Sequence, residues 1–172
     1  MKLPITIILG LTASVSAIDV GLRSRSNCDS RGGGWLCTNL NPNSCCGISS
    51  GHVASIIFYA IPTEWSLELR GHDGGNCNRL STVDGIFGGT ERCLNAGWYT
   101  GASYVFRSKR RTAQESACTS SVAPDVLFLA DGQKYNIVNM DHGLIEELAG
   151  FATNGSSVED IPAVFKPFEI AA

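Results

Sequence analysis

The adjacent pair Cys45-Cys46, in the stretch NPNSCCGISSGH (residues 41–52), constrains this chain more than any other feature. A disulfide between neighbouring cysteines strains the peptide bond joining them. Two such residues are therefore expected to bond to different partners and to pin one turn to two strands. Whether they are oxidised at all depends on the compartment, and the N-terminus addresses that. MKLPITIILGLTASVSA carries one positive charge at Lys2, an apolar run from Ile5, and small residues at Val15-Ser16-Ala17. That three-part layout is a secretory signal peptide over residues 1–17, too short and wrongly flanked for a membrane span. No later stretch approaches the roughly 18 apolar residues of a transmembrane helix.

Export makes Cys28, Cys37, Cys45, Cys46, Cys77, Cys93 and Cys118 disulfide candidates before metal ligands. Zinc-type spacing, Cys-x-x-Cys or His-x-x-x-His, does not occur, so His52 reads as a surface histidine, and neither a metal nor a cofactor is expected. Seven is odd, so one thiol stays free or pairs with another molecule, and the spacing leaves the connectivity open.

The chain has 172 residues and a formal charge of −3; residues 18–172 number 155 and carry −4, since Lys2 goes with the leader. That length suits a single secreted cysteine-rich domain with a real core. So weak a charge argues against nucleic acid or an anionic membrane as the partner.

The first exported segment, with Gly32–Gly34 at its centre, reads as irregular chain held by disulfides. VASIIFYAI is a buried-strand pattern, and EWSLELR alternates with Trp65, Leu67 and Leu69 on one face until the glycines of RGHDGGNC break it. DGIFGGTERC reads as a second glycine cluster, and the end of NAGWYTGASYVFRS as a further strand. VLFLA-DG-QKYNIV carries the strongest hairpin signal, Asp131-Gly132 between two strand-like runs. DHGLIEELAGFATNG is amphipathic, with Leu144, Leu148 and Phe151 on one side, Asp141 as N-cap and Gly155 as stop. The tail, with Pro162 and Pro167, reads as extended. The fold class expected is mostly β (α+β): a small disulfide-stapled β-sandwich or Greek-key-like domain with one C-terminal helix.

Tyr99-Thr100-Gly101 followed by Ser103 resembles the corner of a βγ-crystallin-type Greek key, a fold also seen in small secreted toxins and inhibitors. The leader, Cys45-Cys46, the glycine-rich turns and a dibasic cluster together resemble the small cysteine-rich proteins secreted by filamentous fungi, effector candidates and killer toxins among them. That resemblance implies secretion and action on another organism's cells.

Among candidate sites, Trp98-Tyr99 lies in a glycine-flanked turn where an aromatic pair can serve as a stacking platform for sugars or as a protein hot spot. Trp65, on the alternating strand, reads as core cover. His72-Asp73, in a glycine-rich loop, is the acid–base pair a small secreted hydrolase would use, although His-Glu-x-x-His and phosphate loops are missing. A thiol enzyme is disfavoured because exported thiols are normally oxidised. RSKRR (residues 107–111) offers a furin-like cut after Lys109-Arg110-Arg111. Such a cut would leave six cysteines before it and Cys118 after it. Asn154-Gly155-Ser156 is an N-glycosylation sequon. The function expected is that of a secreted, non-catalytic binding protein, effector-like or toxin-like, whose partner is an extracellular or host protein or glycan. The alternatives are the His72/Asp73 hydrolase and a structural wall protein.

Overall fold

A computed structural model of the chain describes residues 17–107 and 118–171. Residues 1–16 of the expected leader and the basic positions Lys109, Arg110 and Arg111 lie outside the described residues. The described chain runs through β1 (Ile18–Arg23), β2 (Gly34–Leu40), β3 (Ser44–Gly47), β4 (Ser55–Tyr59), β5 (Ser66–Asp73), β6 (Arg79–Phe87), β7 (Arg92–Leu94) and β8 (Gly101–Phe106). It continues through β9 (Ser120–Val122), β10 (Val126–Phe128), β11 (Lys134–Asn136), α1 (His142–Asn154) and β12 (Glu169–Ile170). One sheet has the order β12-β11-β10-β2-β1-β4-β7 and the other β6-β5-β8-β3-β9. Val20, Leu22, Ile56 and Phe58 from the first meet Leu67, Leu69, Tyr104 and Cys46 from the second in one buried core. The molecule is mostly β, disulfide-stapled, with its main helix near the C-terminus, as expected.

The first exported segment is not irregular: it forms β1, β2 and β3. The glycines that read as turn are there for close approach. A side chain on Gly34 would sit 2.0 Å from the Leu22 carbonyl oxygen, and one on Gly33 would sit 2.5 Å from that of Ala152 in α1. Backbone rather than side chain fills these gaps, so nothing larger than glycine fits. Likewise β5 does not stop at Gly71; it continues to Asp73, paired with β6 through a register shift at Gly71/His72 where Ser81 of β6 is the extra residue. The stretch DGIF, read as part of a glycine cluster, ends β6, the edge strand of its sheet.

The hairpin and helix stand where the local signals placed them. Val126 pairs with Asn136 and Phe128 with Lys134. Gly132 takes the left-handed turn position at φ +92°. Asp141 caps α1 by accepting from the Gly143 backbone N–H at 2.9 Å, and Gly155 ends it at φ +80°. A second core gathers under this helix from Leu127, Leu129, Tyr135, Leu148, Ala152 and Phe165, with Trp35 packed against both cores. The tail is not extended. It winds through a 3₁₀ segment, Ala163–Phe168, that drops Phe165 into the second core edge-on to Tyr135. Burying that ring outweighs the extended preference of a proline-flanked chain. Only Glu169–Ile170 is strand.

Candidate functional site

All three bridges lie in the first two-thirds of the chain: Cys28–Cys93, Cys37–Cys46 and Cys45–Cys77, with Cys118 free. Cys45 and Cys46 therefore do bond to different partners. On a strand, neighbouring side chains leave opposite faces.

The same alternation divides Trp98 from Tyr99. Val53 and Tyr99 form an isolated bridge, with Val53 N–H donating to Tyr99 O (2.8 Å) and the reverse bond at 2.9 Å. This turns Tyr99 fully inward, where its hydroxyl accepts from the Ala96 N–H and donates to Thr82. Trp98 points outward and stays 66% exposed. His52, which the sequence placed at the surface, braces it edge-to-face at 4.5 Å and 88°.

Trp98 stands at the end of an open groove of about 1060 Å³, lined also by Arg25, Asn27, Asp29, Arg31 and Asn95. Its polar groups are fixed in place. The Asn27 N–H donates to Asn95 Oδ1 (2.6 Å), and Asn95 Nδ2 donates to Asn27 Oδ1 (2.5 Å), alongside the Cys28–Cys93 bridge. Arg31 donates twice to Asp29 (2.8 and 3.1 Å), and these bonds hold the Asp29 carboxyl down at about 2. Below them, Arg23 donates to the carbonyls of Asp29 and Gly32 and to the Tyr59 hydroxyl. Asn27 and Cys28 both adopt left-handed backbone, at φ 58° and 50°. For a residue such as cysteine this costs about 1–2 kcal/mol, and backbone strain of this kind collects at functional sites. An outward aromatic face beside fixed amides, a guanidinium and a carboxylate is suited to stacking on a sugar ring and bonding its hydroxyls. Two facing acids, as glycoside hydrolysis needs, are not provided by these lining residues, among which Asp29 is the one carboxylate.

His72 and Asp73 sit elsewhere and face apart. Asp73 is held by Arg79 (2.5 and 2.9 Å), which keeps its carboxyl below the usual range. His72 is 2% exposed, with Nε2 at 2.8 Å from the Ser103 hydroxyl and no partner for Nδ1. Burial, helped by the Arg70 charge, pushes His72 down to about 4, so the ring is neutral at ordinary pH. Trp65 is half-buried against the core and the Phe106 ring, and Asn154 is exposed at the end of α1. The sequence reading passed over Arg25, Asn27, Asp29 and Arg31, although four polar residues interleaved with Cys28 were a visible signal. Asn95 gave none; a bridge between positions 65 residues apart brings it there.

Fold and bridges together describe a disulfide-stapled, mostly β protein. Residues 19–125 match the ARB_05566 N-terminal domain and residues 130–172 the ARB_05566 C-terminal domain, and the chain belongs to this family. The two matched segments share a sheet, because β11 of the second pairs with β10, which lies between them and pairs with β2 of the first. The chain is also 30% identical over 103 residues to an uncharacterized secreted protein of the fungus Arthroderma benhamiae, covering 57% of this chain and 54% of the relative. It thus spans about half the length of that relative. No solved structure matches. Among the described residues no helix is long and apolar enough to cross a membrane.

Proposed function

We propose that this is a non-catalytic binding protein, effector-like or toxin-like, that grips an extracellular or host glycan in the Trp98 groove. The observation that carries the reading is the 66% exposure of Trp98, with His52 edge-on against it, in a groove lined by hydrogen-bonded polar groups. A large ring left in water beside such groups is better explained by a partner than by the fold, which gains nothing from its exposure. The hydrolase reading has less support, since Arg79 occupies the carboxylate that His72 would need. On the proposed reading, residues 1–17 are lost on export, residues 18–172 act as one unit whether or not they are cut after Arg111, and Asn154 is open to glycosylation.

Co-sedimentation with insoluble chitin, β-1,3-glucan and cellulose tests it. Wild type should be retained by at least one of them, and Trp98→Ala should bind roughly tenfold more weakly, the equivalent of about 1.4 kcal/mol. Equal retention of the variant, or no retention of wild type on any of the three, would falsify the glycan reading.

A further inference from the structure

Cys118 brings a free thiol against an existing bridge. Its sulfur and those of Cys45 and Cys77 all lie within 4.8 Å of one another. Backbone pairing sets this approach: the Thr119 N–H donates to Asn43 O (2.8 Å), and β9 runs parallel to β3 with Ser120 opposite Ser44. The three sulfurs line a cleft of about 600 Å³ that shares no residue with the Trp98 groove. His72 lines the same cleft, and its buried Nδ1 has no partner within the protein.

We propose that Cys118 is an exchange thiol whose substrate is the Cys45–Cys77 bridge. The Cys118 thiolate attacks Cys45 Sγ and the Cys45–Cys118 bond forms. The Cys45–Cys77 bond breaks, its electron pair leaves on Cys77 Sγ, and Cys77 takes a proton from water. One disulfide and one thiol are present before and after, so no oxidant or reductant is consumed. Burial decides which sulfur leaves. Cys45 is 2% exposed, whereas Cys77 is half-buried at the cleft, where water can solvate a thiolate.

The fold tolerates the swap. The loop carrying Cys77 stays anchored by Asn76 N–H to Ile48 O (2.9 Å), Thr100 Oγ1 to Asn76 O (2.8 Å) and Gly75 N–H to Thr100 Oγ1 (3.0 Å). The loop closed between positions 45 and 118 is roughly twice as long as the one closed now, a small entropic difference, so both pairings should be populated. The new bridge would also join the chain across the basic run at residues 107–111, so that a molecule cut there stayed covalently whole.

The oxidised protein, held at pH 8.5, blocked with N-ethylmaleimide and digested without reduction, gives the answer by mass spectrometry. The expected result is label on both Cys118 and Cys77, with about a tenth or more of chains carrying a Cys45–Cys118 linked peptide. Cys118→Ser should leave Cys77 unlabelled. Label confined to Cys118 with Cys45–Cys77 intact, or Cys118 bridging two molecules, would overturn the proposal. Wild type decides even if the variant does not fold.

Discussion

The region around β1, β3 and β5 and the region around α1 are held together by different means. The first is closed by three disulfides, and part of its backbone is strained, as at Asn27 and Cys28. The second, residues 126–172, contains no cysteine and rests on Leu148, Phe165, Tyr135 and the caps of α1. The exposed aromatic groove and the free-thiol cleft both lie in or beside the stapled region. Covalent closure lets a chain hold exposed rings and strained turns that apolar packing alone would not fix. The helical region needs no such help, because its apolar residues are already sequestered.

The largest expected effect tests the staples. Replacing Cys28 and Cys93 with serine opens a closure of 65 residues, worth about 4 kcal/mol on chain entropy; the Cys37–Cys46 closure, 9 residues long, should be worth only about 2.5 kcal/mol. Urea unfolding of the two double variants checks the order, and equal losses would mean that strain rather than closure dominates. Next comes Leu148→Ala, expected to cost roughly 3.5 kcal/mol by opening a cavity in the second core. Hydrogen exchange should then speed up over residues 126–170 while β5 and β8 keep their protection. Uniform loss would erase the distinction between the regions.

A further expected effect concerns acid. His72 titrates near 4 when folded, against an ordinary 6.5, because burial disfavours its charged form. As pH falls from 6.5 to 4, the unfolded chain takes a proton that the folded chain refuses, so stability drops by about 3 kcal/mol at most and then levels for this group. The depressed carboxylates Asp29, Asp73 and Asp84 act lower, below their ordinary 3.8. His72→Gln should flatten the upper window, as read from urea midpoints between pH 4 and 7. A slope that survived the substitution would place the acid sensitivity outside this cleft.

Local signals carried far. The alternation of Leu67 and Leu69, the Asp131-Gly132 hairpin and the Asp141 and Gly155 caps are short-range chemistry, and each stands where it was read. Glycine misled where its role was non-local. Gly33 and Gly34 look like turn residues, but they are seams where α1 and β1 press against β2. The tail misled because Phe165 answers to a core that only the fold assembles.

Secretion, oxidation, the odd thiol, the β-rich class and a main helix near the C-terminus were legible in the sequence alone, because residue pattern, cysteine count and periodicity are properties of neighbouring residues. Which cysteine pairs with which, that Trp98 faces water while Tyr99 is buried, and that Asn95 and Cys118 meet partners far away in the chain were decided by the tertiary structure. Those outcomes depend on strand register and sheet order, which no stretch of a few residues encodes.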